Sequence, residues 1–91
     1  MLCMKPSLNL RQIEAFRSVM LTGTVVGAAR LMSVTQPAVS RAVGLLELRI
    51  GYTLFERRGR RLVATPEGEA LRDCLRVLRV QALLDDGALV D

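Results

Sequence analysis

Thr24-Val25-Val26-Gly27-Ala28-Ala29-Arg30-Leu31-Met32-Ser33-Val34-Thr35-Gln36-Pro37-Ala38-Val39-Ser40-Arg41-Ala42-Val43 is the stretch that decides the fold. Thr24 is suited to cap a helix whose inward stripe is Val25, Ala28, Ala29 and Met32, the i, i+3, i+4, i+7 spacing of an amphipathic helix. The paired alanines let a neighbouring helix approach closely. Ser33-Val34 leaves room for a short turn only. Thr35 then caps another helix that carries Pro37 in its first turn, where a missing N–H costs little. This helix is expected to turn Val39, Val43, Leu46 and Ile50 inward and to end at Gly51. Two helices joined by so short a turn predict a helix-turn-helix. The same spacing also occurs in three-helix cores that bind nothing.

Upstream, Asn9 can cap a helix from about Leu10 to Leu21, with Leu10, Ile13, Phe16, Val19 and Met20 on its apolar face. Thr22-Gly23 stops it, glycine being at ease in the left-handed conformation that follows many helices. Downstream the period changes. Leu54-Phe55-Glu56-Arg57 and Arg61-Leu62-Val63-Ala64 flank Arg58-Gly59-Arg60, which predicts a hairpin with a basic tip, the wing of a winged helix. Thr65-Pro66-Glu67 opens a fourth helix, with acids near its positive end. Leu71, Leu75, Leu78 and Ala82 follow one face of it before Asp85-Asp86-Gly87 ends it. The expected organisation is mainly α: a winged helix-turn-helix over residues 8–66 (a three-helix core plus a two-stranded wing), a linker or dimerisation helix over 67–84, and a tail over 85–91.

Composition narrows the function. The chain has 91 residues, of which 51% are hydrophobic, so it is a small globular chain and not a disordered one. No apolar run approaches the roughly 20 residues of a membrane span, and the first six residues do not look like a secretory signal. With no histidine, His-dependent hydrolysis and most His-containing metal sites are excluded, and two cysteines far apart in sequence cannot supply a zinc site. Cys3 and Cys74 are expected to be reduced thiols in a cytoplasm, Cys74 as a small buried or interface side chain. The net charge of +4 conceals an asymmetry: residues 1–66 carry ten Lys/Arg against three acids, and residues 67–91 carry three against six. Positive charge concentrated in the folded part points to a polyanion, nucleic acid ahead of an acidic membrane.

The order of motifs is itself informative. Leu10-Arg11-Gln12-Ile13-Glu14-Ala15-Phe16, Ala28-Ala29 with Met32, Val34-Thr35-Gln36-Pro37-Ala38-Val39-Ser40-Arg41, Leu46-Glu47, Gly51, Leu54-Phe55-Glu56-Arg57 and Thr65-Pro66-Glu67-Gly68 together resemble the N-terminal DNA-binding domain of LysR-type transcriptional regulators. The resemblance covers about residues 8–71 and is nearly gapless. Val19-Met20-Leu21-Thr22-Gly23 and the Val34–Ala38 run look closest to the opine-catabolism activators of that family. The resemblance implies a bacterial, cytoplasmic, sequence-specific binder of double-stranded DNA, working as a homodimer through its linker helix on an interrupted palindromic operator. Family members usually continue into an effector-binding domain; none is expected in this chain, and hence no small-molecule effector and no cofactor. Two departures stand out. Gly44 sits mid-helix, and Leu31, Leu45 and Leu48 stand where the family often has polar side chains.

Function then falls on particular residues. On a recognition helix over about 35–50 the first two turns would enter the major groove. Gln36, Ser40 and Arg41 lie off the core stripe: Gln36 can offer a donor–acceptor pair to adenine, and Arg41 can read guanine or clamp a phosphate. Pro37 and Ala38 can touch a thymine methyl. Thr24 and Thr35 serve first as caps, although helix starts can also hold phosphates. Arg57, Arg58, Arg60 and Arg61 are the densest charge in the chain and suit flanking DNA, Arg57 having a structural alternative in Glu47 or Glu56. Leu71, Leu75, Leu78 and Ala82 are the expected dimerisation stripe. A protein-interaction module built on the leucine surface is the rival. An enzyme is disfavoured, because no catalytic constellation is present.

Overall fold

The computed structural model describes residues 9–85, with side chains as far as Val77. Four helices and one hairpin follow in order: α1 (Leu10–Thr22), α2 (Val25–Met32), α3 (Gln36–Ile50), β1 (Phe55–Arg58), β2 (Arg61–Ala64) and α4 (Pro66–Asp85). The architecture is the winged helix-turn-helix expected from the sequence. Cys3 and the tail beyond Asp85 lie outside the described residues.

Each helix begins where a side chain can satisfy its free N–H groups. Asn9 Oδ1 accepts from the Arg11 N–H at 2.8 Å, Thr24 Oγ1 from Gly27 at 2.9 Å and Thr35 Oγ1 from Ala38 at 3.2 Å. Gly23 and Gly51 close α1 and α3 in the left-handed region. Ser33 does the same after α2 at φ 60°, a conformation glycine usually supplies.

The core is where α1, α2 and α3 meet. Phe16, Val19, Val39 and Leu46 are fully buried, with Ala28 and Ala29 giving the close approach of α2. Leu54 and Phe55 add the wing to this core, and the Phe55 ring lies 5.4 Å from that of Phe16 at a tilt of 41°. Leu10 departs from expectation: it is 72% exposed. At about 100° per residue, each step of three falls short of a full turn by about 60°. Walking back from Val19 through Phe16 and Ile13 to Leu10 therefore crosses to the opposite face. Gln12, Ala15 and Ser18 occupy the buried face instead.

Three sets of hydrogen bonds fix the wing to the helices. Its strands pair antiparallel from Phe55↔Ala64 to Arg58↔Arg61, leaving Gly59 and Arg60 as the tip. The Leu62 N–H donates to the Gly23 carbonyl at 2.8 Å, tying β2 to the turn before α2. A carboxylate oxygen of Glu47, on α3, accepts from the N–H groups of Leu54 at 2.7 Å and Phe55 at 3.4 Å. Thr65 Oγ1 donates to the Thr53 carbonyl at 2.6 Å and accepts from the Gly68 N–H at 3.0 Å, joining the wing to the start of α4. Gly68 belongs there because a Cβ would run into the Leu54 carbonyl. Gly44 has no such reason, since a Cβ on it would meet nothing within 4 Å.

Candidate nucleic-acid interface

Helix α3 presents an uncovered face flanked by two depressions, and the expected contact residues divide between them. On the wing side, Thr24, Gln36, Pro37, Ser40, Arg57 and Arg60 line one groove. They come from the start of α2, the first two turns of α3 and the wing. The Gly23–Leu62 hydrogen bond and the Glu47 carboxylate bring these segments together, so the groove is a product of the fold and not of one helix. On the other flank, Thr35, Ala38 and Arg41 face the start of α1 across a cleft shared with Pro37. Arg58 lines neither; its guanidinium meets Glu56 at 3.5 Å with both side chains largely exposed. Such a pair contributes little and is readily exchanged for another anion.

The structural alternative for Arg57 does not hold: among the described residues it pairs with neither Glu47 nor Glu56. Glu47 is occupied by the wing backbone, and Glu56 by Arg58. Arg57, Arg60 and Arg61 have no carboxylate within ion-pair distance among the described residues. Three of the four arginines on this short hairpin thus carry charge that no described carboxylate balances. Thr24 and Thr35 are caps, as expected, and each also lines a depression.

Two residues of this region are not among those expected from sequence. Arg11 and Gln12 line the cleft opposite Arg41, yet they stand in the first turn of α1, far along the chain from the helix-turn-helix. Only the α1–α3 packing reveals them.

The fourth helix turns its first two stripe leucines toward the core and its cysteine away from it. Leu71 and Leu75 are half-buried against the chain's own core, with Leu75 sharing a depression with Arg17, Met20 and Leu21 of α1. Cys74 is exposed, so of the two expected settings, buried or interface, the buried one does not hold. Ala70, Cys74 and Val77, at i, i+4 and i+7, form the line that faces outward. The side chains of Leu78 and Ala82 lie outside the described residues. The surface leucines are exposed but dispersed: Leu31 lies beside Leu21, Leu45 beside Arg41, and Leu48 beside Tyr52.

Residues 10–69, the whole helix-turn-helix and wing, match the family described as bacterial regulatory helix-turn-helix protein, lysR family. The chain belongs to the LysR family. It is 53% identical over 64 residues to the octopine catabolism/uptake operon regulatory protein OccR of Rhizobium meliloti, covering 70% of this chain and 22% of OccR. To the regulatory protein NocR of Agrobacterium fabrum it is 56% identical over 61 residues, 67% of this chain and 20% of NocR. The chain therefore spans about a fifth of the length of these curated relatives. The octopine relative agrees with the finer resemblance carried by Val19–Gly23 and Val34–Ala38.

Solved LysR-family structures share the fold. The CbnR_DBD–DNA complex matches with a TM-score of 0.74 at 32% identity, over 88% of this chain and 93% of that one. Vibrio fischeri DarR in complex with DNA matches with a TM-score of 0.78 at 30% identity, over 94% of this chain and 30% of that one. In this LysR-family domain no helix among the described residues is long and apolar enough to cross a membrane.

Proposed function

We propose that this chain is the DNA-binding part of a bacterial transcriptional regulator, a cytoplasmic binding module and not an enzyme. It binds double-stranded DNA sequence-specifically, with α3 in the major groove and the wing on flanking DNA. The observation that carries this is the wing-side groove, where Gln36 and Ser40 stand between a capped helix start and unpaired arginines. Neutral donors and acceptors serve to read base edges, and the surrounding cations hold the backbone. Within this reading residues 8–66 do the binding and 67–84 link two copies. Selection of duplexes from a random pool, followed by titration at several salt concentrations, tests it. A preferred interrupted palindrome with strongly salt-dependent affinity is expected. Binding without sequence preference or salt dependence would favour the protein-interaction alternative.

Replacing both Arg58 and Arg60 by alanine is expected to weaken binding to all sequences alike. The slope of log affinity against log salt should flatten by about 0.9 for each phosphate no longer neutralised. An unchanged slope would place the wing tip away from DNA.

Two recognition helices held at a fixed separation are needed to read a palindrome, and α4 is the element to hold them. Of the stripe Leu71, Leu75, Leu78 and Ala82, the first two are half-engaged by the chain's own core. The seam for a second copy is therefore short and includes the exposed Cys74 and Val77, and a short seam pairs weakly. A monomer–dimer equilibrium that operator DNA pulls toward dimer is the expected result in sedimentation. Val77→Asp should shift it toward monomer without disturbing the fold, whereas Leu75→Asp would also damage the core. Normal pairing of the Val77→Asp variant would remove this face of α4 from the dimer.

A further inference from the structure

The cleft between the start of α1 and the outer flank of α3 has the features of a second backbone contact. Arg11 and Arg41 wall it, Thr35 stands at its end and Gln12 forms part of its lining. Neither arginine has a carboxylate within ion-pair distance among the described residues, so two unneutralised arginines from different helices line one depression. Such a pair favours an anion, and guanidinium suits phosphate by geometry as well as by charge.

Gln12 adds an independent observation. It is 6% exposed, and its Oε1 has no hydrogen-bond partner. Folded cores rarely leave a buried polar atom unmet, and one that remains asks for a role. A leucine of similar size would fill the position without that penalty. No hydrogen bond within the chain fixes the Gln12 oxygen, and with its carboxamide placed the other way round the side chain would present its N–H2 group to the cleft it lines.

Position completes the case. A helix of about 10–12 Å diameter fills a major groove about 12 Å wide, so a sugar–phosphate wall runs along each flank. The wing lies on one flank of α3, and the Arg11–Arg41 cleft lies on the other. We propose that this cleft clamps a backbone phosphate of the strand on the side of α3 away from the wing, with Arg11 as the principal contact and Gln12 as a supporting donor. The clamp rests on the DNA-binding reading above. Together the two flanks would fix both the depth and the register of α3 in the groove, which one wing alone would leave free to roll.

The test compares the full chain with its Arg11→Ala, Arg11→Lys and Gln12→Leu variants on the selected duplex, by salt titration and phosphate-ethylation interference. Arg11→Ala should reduce the magnitude of the salt slope by about 0.9. It should also abolish interference at one phosphate beyond the recognition helix, leaving wing-side interference intact. Arg11→Lys should restore the slope. Gln12→Leu should remain folded, with weaker binding at an unchanged slope. An Arg11→Ala protein with wild-type slope and interference pattern overturns the clamp while the DNA reading stands. A wild-type chain that binds no duplex overturns both.

Discussion

Phe16→Ala is expected to lower the unfolding free energy by about 3–5 kcal/mol. Phe16 is the largest fully buried side chain, and its ring touches that of Phe55 on the wing. The substitution leaves a cavity where α1, α3 and β1 meet, a junction at which the Glu47 carboxylate holds β1 to α3. Small domains have roughly 5–15 kcal/mol in all, so the loss takes a large share. Urea denaturation should give a lower midpoint with an unchanged m value. Leu48→Ala, at a side chain 78% exposed, should stay within about 0.5 kcal/mol of wild type. A Phe16→Ala midpoint close to that of Leu48→Ala would show that the wing is not joined to the helices through this aromatic contact.

That contrast marks what periodicity conveys. The helix starts were legible because each depends on one side chain next to its own backbone: Asn9, Thr24, Thr35 and Thr65 all cap as expected. The α2 and α3 stripes were legible because steps of three and four alternate there and stay on one face. Leu10 was misplaced because its run had too few fours. The fate of Glu47 could not be read locally. It reaches the N–H groups of residues seven and eight positions on, which requires a wing strand lying against α3. Whether Cys74 is buried or left on the surface could not be read locally either: it depends on which side of α4 Leu71 and Leu75 turn to the core. Of the candidate interface, the recognition helix and wing followed from sequence, and the α1 flank appeared only once α1 was packed on α3.

The hydrogen bonds that anchor the wing also bear on function. Glu47, Gly23 and Thr65 connect it to α3, to the α1–α2 turn and to α4 respectively. None of these links uses a wing arginine. The charges at Arg57, Arg58 and Arg60 are consequently carried on a frame held by other residues, and can be removed without unfastening it. This separation lets a flatter salt slope in the Arg58 and Arg60 variant be assigned to DNA phosphates and not to a loosened wing.

Gln36→Ala should separate recognition from attraction. Gln36 is exposed at the first position of α3 and makes none of the side-chain hydrogen bonds that hold the fold, so thermal stability should be nearly unchanged. Binding to the preferred duplex is expected to weaken by about 1–3 kcal/mol, the range for one good bidentate base contact, or roughly 5- to 150-fold. Its amide carries no charge and releases no counterion, so the salt slope should remain that of the wild type. Affinity for unrelated duplexes should also hold, since those are bound through the arginines. Repeating the duplex selection with the variant should relax preference at one base pair in each half-site and leave the others sharp. Wild-type affinity and an unchanged preferred sequence would remove Gln36 from base reading. The burden would then pass to Ser40, which stands one turn further along the same groove but offers a single hydroxyl where Gln36 offers both a donor and an acceptor.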